Sequence, residues 1–257
     1  MALLVKRKLF FCSALIFTVV FAVTAVFAQN GSSPSPSQPV QPSVIPPPPP
    51  SRVPVVPSRS PAVARPKDDA SMMIPEGFVR RPLMKGETMS GICKADSSCE
   101  VILMKVNRID QRHLSTGRNI LVPVDKQKSS LYVPVPKVLA DSRGEREIRI
   151  FLKRQFFGAY EKGQLSFWGP ISSGKSSRRT PPGKFFVNYK QRFKKSLKYD
   201  DAPMPFSINF NQGYFLHQQS LPGYPASHGC VRLLEIDAQR LFYWVRLGDP
   251  VTLVLEP

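Results

Sequence analysis

The chain has 257 residues, with 36 Lys and Arg against 18 Asp and Glu, and a formal net charge of +18. This length allows one large or two small folded domains. A basic excess of this size indicates polyanionic partners or surfaces, and a solubilising charge without a specific partner is the alternative.

The first 28 residues predict a secretory signal peptide. A basic start at 6–8 precedes an apolar run over 9–28, and Val26, Phe27 and Ala28 offer a cleavage site. The apolar run is also long enough to span a bilayer, so an uncleaved signal anchor is the alternative. Either way we expect export to the periplasm or cell envelope, with the membrane contacted only through this segment and no nucleic-acid partner.

Residues 29–72 predict a disordered linker. Pro and Ser dominate from Gly31 to about Pro66, and residues 46–50 are five consecutive prolines. Such a segment cannot bury a core, and as an extended polyproline II chain it would reach on the order of 100 Å. We therefore expect a spacer between the membrane and the folded part of the chain.

Cysteine parity singles out one thiol. Beyond the signal segment the chain contains Cys93, Cys99 and Cys230. Paired thiols tend to oxidise outside the cytoplasm, and Cys93 and Cys99 are close neighbours, so they are the natural pair. Cys230 is then left unpaired. An inert core thiol is the alternative, but the glycine and two polar residues before Cys230 indicate a turn.

A first folded unit is predicted at residues 75–125. It has a Lys-Gly-Glu-Thr turn at 85–88, a central Asn107, and a Gly-x-x-Ile-x-Val-Pro ending at 117–123. This pattern resembles a LysM module, a small βααβ domain that binds glycan chains containing N-acetylglucosamine. It departs from that family at the first helix, where the cysteine pair falls. A module that only spaces or packs against the next domain is the alternative.

A second folded unit is predicted at residues 132–257, and the fold class is mainly β. Short strands of alternating or apolar character are separated by Gly, Pro and Asn, which favours a β-rich sandwich or barrel. One helix is expected from about Ile236 to Leu247, ended by Gly248, before a closing strand at 251–255. The other predicted strands lie at 148–152, 156–160, 163–168, 184–189, 206–210 and 213–216.

The six residues 227–232, Ser-His-Gly-Cys-Val-Arg, predict thiol chemistry. The whole chain has three histidines, and His217 and His228 flank Cys230. A neighbouring base or cation makes a thiolate accessible near neutral pH, so Cys230 is a candidate nucleophile. The rival interpretation is an open zinc site formed by the same three side chains, although no second Cys or His pair supports it. We expect no metal and no organic cofactor.

Three further segments place this motif in a family. Residues 161–165, residues 170–185 with the pattern S-x-G…T-P-x-G, and the pair 237–238 with 248–251 stand in the same order. Together with 217–232 they resemble an L,D-transpeptidase catalytic domain over roughly 110 residues. The resemblance implies a β-rich catalytic fold with one C-terminal helix.

The resemblance also implies roles for individual residues. Cys230 is the nucleophile and His217 is the general base and acid, oriented by a carbonyl or polar neighbour at or near Gln218. Gln218 departs from the glycine usual at its position. Loop amides from His228 to Cys230 would form an oxyanion hole, to which Gly229 is suited because it lacks a Cβ. The remaining implied roles are support of the loop for Ser227 and His228, and substrate binding for Arg232, Gln218 and Tyr214.

The implied substrate is peptidoglycan. Cys230 would attack the third-residue carbonyl of a tetrapeptide stem, release D-alanine and pass the acyl group to an amine. A diamino acid of another stem gives a cross-link, water gives a carboxypeptidase, and a lysine of an envelope protein gives covalent anchoring. A glycan-binding envelope protein with an inactive catalytic domain is the non-enzymatic alternative. The nine Lys and Arg in 175–198 form either a solvated hairpin or a rim that attracts an anionic substrate.

Overall fold

The structure is a computed structural model that describes residues 73–142, 144–198 and 201–256. The predicted signal segment and linker lie outside the described residues. Two lobes are described, an N-terminal lobe (residues 75–125) and a C-terminal lobe (residues 132–256). In these ranges, no helix has both the length and the apolar character needed to cross a bilayer.

The N-terminal lobe has the order strand, helix, helix, strand. Its elements are β1 (Phe78–Pro82), α1 (Met89–Cys93), α2 (Ser97–Asn107) and β2 (Asn119–Pro123). The strands pair antiparallel, with Phe78 opposite Pro123. Buried apolar side chains from both helices, from β2 and from the connections form a small core: Leu83, Met89, Cys93, Leu103, Ile109, Ile120 and Val122.

Polar side chains set the limits of these helices. The Thr88 hydroxyl accepts from the Gly91 amide, and the Asp96 carboxylate accepts from the amides of Ser98 and Cys99. These bonds satisfy amides that the first turn of a helix leaves without partners. Lys94 and Arg108 end the two helices in the left-handed conformation, although neither is a glycine.

Asn107 joins α2 to the strand that follows it. Its amide nitrogen donates to the carbonyls of Leu103 and Leu121, and its side-chain oxygen accepts from the Leu121 amide, all at 2.8 Å. An amide side chain has both a donor and an acceptor, so it can satisfy both backbone groups of one strand residue. This geometry accounts for the central Asn in the sequence pattern.

Cys93 and Cys99 form a disulfide that joins the end of α1 to the first turn of α2. Cys93 is buried in the lobe core. The bridge therefore fixes the two short helices at their junction.

A short helix, α3 (Lys126–Ser130), follows the N-terminal lobe, and the C-terminal lobe contains nine strands and one helix among the described residues. The strands form one sheet in the order β6-β11-β3-β4-β5-β10-β9-β8-β7. Their bounds are β3 (Arg146–Phe151), β4 (Phe156–Glu161), β5 (Gln164–Ser172), β6 (Gly183–Phe186), β7 (Tyr189–Lys195), β8 (Pro203–Asn211), β9 (Tyr214–Gln218), β10 (Val231–Leu233) and β11 (Pro250–Val254), and the helix is α4 (Glu235–Trp244).

The sheet curls around the main core, and this confirms the predicted mainly β class. The rings of Phe185 on β6 and Phe210 on β8 lie 5.6 Å apart, although these strands are not neighbours in the sheet. The result is one half-barrel sheet, with α4 packed against its inner face through Ala238 and Leu241.

Three details of the fold differ from the sequence prediction. The helix ends at Trp244 and not near Leu247, because Val245 is already extended at ψ 148°. Gly248, at φ +83°, lies in the turn that leads into β11 and does not end the helix. The strands β7 and β10 and the helix α3 were not predicted as separate elements.

We predict that removing the disulfide destabilises the protein without unfolding the C-terminal lobe. In the C93A/C99A double variant, the free energy of unfolding should fall by about 2 kcal/mol, because the unfolded chain regains the entropy of a six-residue loop. Urea denaturation measures this change. The C230S variant is the control, and an unchanged midpoint in the double variant would contradict the prediction.

Candidate active site

Parallel pairing of β9 and β10 brings the predicted site residues onto one face of the sheet. Arg232 pairs with His217, and Val231 pairs with Leu216. Side chains alternate between faces along a strand, so Cys230, two residues before Arg232, shares the face of His217 and Arg232. Leu216 and Val231 point to the opposite side and are fully buried in the core.

The ring of His217 has a fixed orientation and a fixed tautomer. Its Nδ1 lies 2.9 Å from the carbonyl oxygen of Gln218. A carbonyl only accepts, so Nδ1 carries the hydrogen and Nε2 remains as the basic nitrogen. The side chain is only 5% exposed, and burial lowers the pKa of His217 to about 4, with the charge of Arg232 acting in the same direction. The imidazole is therefore neutral at physiological pH.

The Cys230 thiol is also neutral at rest. Burial raises its pKa above the ordinary value, more than the Phe215 backbone and the Arg232 charge lower it. Cys230 is the free cysteine among the described residues. Because the pKa of His217 is lowered and the pKa of Cys230 is raised, the resting pair is a neutral imidazole and a neutral thiol. A thiolate would then form only as the sulfur bonds to its target.

The two side chains open into a cavity of about 650 Å³. Of the residues predicted to form the site, Tyr214, Ser227 and His228 also line it, together with Arg232. Further cations come from Arg178, Arg179, Lys194 and Lys198, and no acidic residue lies among the described residues of the lining. The cavity is therefore suited to an anionic ligand, and part of the basic stretch 175–198 forms its wall.

Ser227 and Gly229 give the loop before Cys230 its shape. The Ser227 hydroxyl accepts from the Gly229 amide at 3.0 Å and donates to the Cys230 carbonyl. Gly229 has φ +126°, and a Cβ there would lie 2.8 Å from the Tyr214 ring. Only glycine fits at this position, because any side chain would be strained and would displace the ring.

The segment after β5 holds the same loop from outside. The Thr180 hydroxyl donates to the Gly229 carbonyl at 2.7 Å and accepts from the Gly174 amide at 2.8 Å. Gly174 forms a parallel bridge with Ser227, and the Ser227 amide donates to the Ser173 carbonyl at 3.0 Å. The S-x-G…T-P pattern thus provides a frame for the thiol loop.

Sequence reasoning gave no role to Thr180 or to Ser172. The Ser172 hydroxyl donates to the Tyr224 carbonyl and accepts from the Ala226 amide, which fixes the chain just before Ser227. Thr180 stands in the T-P pattern that supported the family resemblance, so the signal was present. Its partner, a backbone carbonyl 49 residues away, was not visible in the sequence.

The structure gives the surroundings of three further residues that were predicted to form the site. The Gln218 side chain is absent from the described lining of this cavity and lines another one beside Asp110, so only its carbonyl serves the site. His228 is exposed, at the cavity rim. The Gly229 amide is bonded to Ser227, so an oxyanion site would depend on neighbouring amides of the loop.

The zinc alternative finds no support in the geometry. Among the residues that the structure describes, no group of three or more His, Cys, Asp or Glu side chains is arranged to hold a metal ion.

The C-terminal lobe matches one known family. Residues 145–253 match the family model of the L,D-transpeptidase catalytic domain, YkuD, which confirms the predicted resemblance of the C-terminal lobe. The match does not include the N-terminal lobe. No curated protein matches the chain.

The chain is also similar to solved structures of L,D-transpeptidases. One from Stackebrandtia nassauensis is 27% identical over 47% of this chain and 60% of its own, with a TM-score of 0.43. L,D-transpeptidase 3 from Mycobacterium tuberculosis is 21% identical over 43% and 61%, with a TM-score of 0.39. One from Enterococcus faecium is 22% identical over 43% and 50%, with a TM-score of 0.40. The chain thus spans about 60% or less of the length of these relatives.

We predict that the Thr180 hydroxyl is required for the shape of the thiol loop. T180V keeps the volume but leaves the Gly174 amide and the Gly229 carbonyl buried without this partner, at a cost of about 1–3 kcal/mol in unfolding free energy. Urea denaturation measures the loss. T180S keeps the hydroxyl and should retain most of the stability, and equal losses in the two variants would contradict the prediction.

Proposed function

We propose that the protein is an exported peptidoglycan L,D-transpeptidase. The observation that carries the proposal is the arrangement of Cys230, Arg232 and His217 on one face, with the His217 ring fixed by a carbonyl and a basic cavity in front of it. The match of residues 145–253 to the catalytic-domain family supports the same reaction.

The neutral resting pair defines the order of proton transfers. As the Cys230 sulfur attacks the third-residue carbonyl of a tetrapeptide stem, the thiol proton passes to His217 Nε2. The imidazolium then donates this proton to the amine of the departing D-alanine, which leaves a thioester. An acceptor amine attacks the thioester, gives up a proton through His217, and restores the thiol.

Charge in the cavity supports an anionic stem peptide as the substrate. Arg232 on β10 lies next to His217 on β9. Burial lowers the pKa of Arg232 below the ordinary value, yet a guanidinium remains charged. Its planar fork suits a carboxylate of the stem, and Tyr214 forms the adjacent wall. The basic side chains at 178, 179, 194 and 198 would attract the same substrate.

The N-terminal lobe is proposed to bind glycan strands as a LysM-like module. Its strand-helix-helix-strand order and the Asn107 bridge to β2 support the proposal. This activity would hold the enzyme on its polymer between turnovers. Export and envelope location rest on the N-terminal sequence pattern, with its basic start and apolar run.

Defined stems distinguish the possible acceptors. Incubation of the full protein with tetrapeptide stems, followed by mass spectrometry, should show loss of D-alanine and a cross-linked dimer. A tripeptide alone would indicate a carboxypeptidase, and an acylated lysine in an added envelope protein would indicate anchoring.

The C230A variant tests the nucleophile. It should lose all turnover of the stem because no thioester can form, while binding to isolated peptidoglycan sacculi persists. The C93A/C99A variant, which lacks the other two described cysteines, is the matched control and should keep turnover. Turnover that survives in C230A would refute the assignment of the nucleophile.

The pH profile tests the state of His217. The proton acceptor must be neutral, and its pKa of about 4 means that it stays neutral well below pH 6.5. The value of kcat/KM for D-alanine release should therefore hold from pH 7 down to about 5 and fall only near pH 4. An acid limb at pH 6–7 would contradict a buried neutral base.

A further inference from the structure

The segment between the base and the nucleophile is held by the N-terminal lobe. Residues 219–229 connect His217 and Gln218 on β9 to Cys230 before β10. Asp110 binds Leu221 twice, accepting from its amide and donating to its carbonyl, each at 3.0 Å. Arg118 donates from Nη1 to the Pro222 carbonyl at 2.7 Å.

Side chains and backbone are also closely packed at this contact. Ile109 forms an antiparallel bridge with Pro222, and both Ile109 and Leu221 are fully buried. Gly223 has φ +92°, and a Cβ there would collide with the guanidinium of Arg118. The contact therefore needs glycine at 223 and leaves the backbone little freedom.

Asp110 is itself held in place. Its second oxygen accepts from the Arg112 amide at 2.9 Å and lies 2.7 Å from Nδ1 of His113. These bonds within its own lobe restrain the carboxylate, so the Leu221 amide meets an acceptor whose position is set by the N-terminal lobe. The residues of the N-terminal lobe that make these hydrogen bonds lie outside the matched family domain.

Described hydrogen bonds from the C-terminal lobe reach this segment at Gln219 and again from Tyr224 to Gly229. The Gln219 amide donates to the Leu233 carbonyl at 3.2 Å, and Ser172 binds Tyr224 and Ala226. Between these points, the Leu221 amide donates to the Asp110 carboxylate and the Leu221 carbonyl accepts from the Asp110 amide. A shift at 221–223 would reach Gln218, whose carbonyl orients His217, and Ser227, which shapes the thiol loop.

We propose that Asp110 and Arg118 are positioning residues of the active site, and that the N-terminal lobe completes the frame that aligns His217 with Cys230. The proposal rests on the transpeptidase function proposed above. It makes the N-terminal lobe a part of the catalytic unit in addition to any glycan binding.

The test compares R118M with K105M. Both remove one cation from the contact between the lobes and keep an aliphatic stem. Lys105 pairs instead with the buried Asp237 of α4, at 2.8 Å. R118M should lower kcat for D-alanine release roughly 10- to 100-fold with little change in KM, since misplacement of the reacting groups acts on the chemical step. K105M should stay within about twofold of the wild type in kcat, whatever its thermal stability.

Asp110 gives a second, independent comparison. D110A should lose kcat as R118M does, whereas D110N should recover much of it because the Asn carbonyl can accept from the Leu221 amide. If D110A does not fold, R118M and D110N carry the test. Equal kcat values in R118M and K105M would overturn the proposal.

Hydrogen exchange separates this proposal from the proposed function. Amides in 219–230 should exchange faster in R118M and D110A than in the wild type, and at wild-type rates in K105M. A wild-type protein that releases no D-alanine would refute the transpeptidase function, and the exchange data would still decide whether the lobe holds the loop. Unchanged exchange in R118M and D110A would overturn the proposal even if the wild type is active.

Discussion

The parallel pairing of β9 and β10 is the constraint on which the site depends. Parallel neighbours cannot be joined by a tight turn, so the chain must leave the sheet at Gln218 and return at Val231. That excursion places Cys230, the proposed nucleophile, at the re-entry point and His217, the proposed base, at the exit point. Most of the polar contacts described around the site serve to hold the excursion in one conformation.

The excursion is stabilised by backbone contacts from three directions. Thr180 and Gly174 hold it from the segment after β5, Ser172 from within β5, and Asp110 from the N-terminal lobe. A loop with no regular structure has backbone groups that need partners when buried, and each of these residues satisfies one or more of them. The site is therefore rigid although it is built on a loop.

The sequence pointed to the reactive side chains of the candidate site more readily than to the residues that hold them in place. Cys230 and His217 could be proposed from the sequence because an unpaired cysteine and a rare histidine stand out in the composition of the chain. The strand β10 could not, because three residues are too few to show a pattern of alternation. Asp110 carries no local signal at all, since its partner Leu221 is 111 residues away. Contacts of this kind depend on the tertiary fold and not on any pattern within one element.

The end of α4 shows the same limit on a smaller scale. The apolar spacing of the helix continues through Val245, which predicts a longer helix than the ten residues observed. Val245 is nearly fully buried, but in an extended conformation that starts the turn to β11. Val245 thus has the spacing and the burial of a helical residue although it is not helical. Its side chain reaches the core from the connection between α4 and β11.

The protein combines a free cysteine, Cys230, with a disulfide between Cys93 and Cys99. Oxidation and thiol–disulfide exchange both proceed through the thiolate, and the raised pKa of Cys230 keeps that species scarce. The Cys93–Cys99 bridge can therefore persist in the same molecule without being attacked by its own free thiol. The thiol that we propose as the nucleophile is thereby less exposed to oxidation and disulfide exchange.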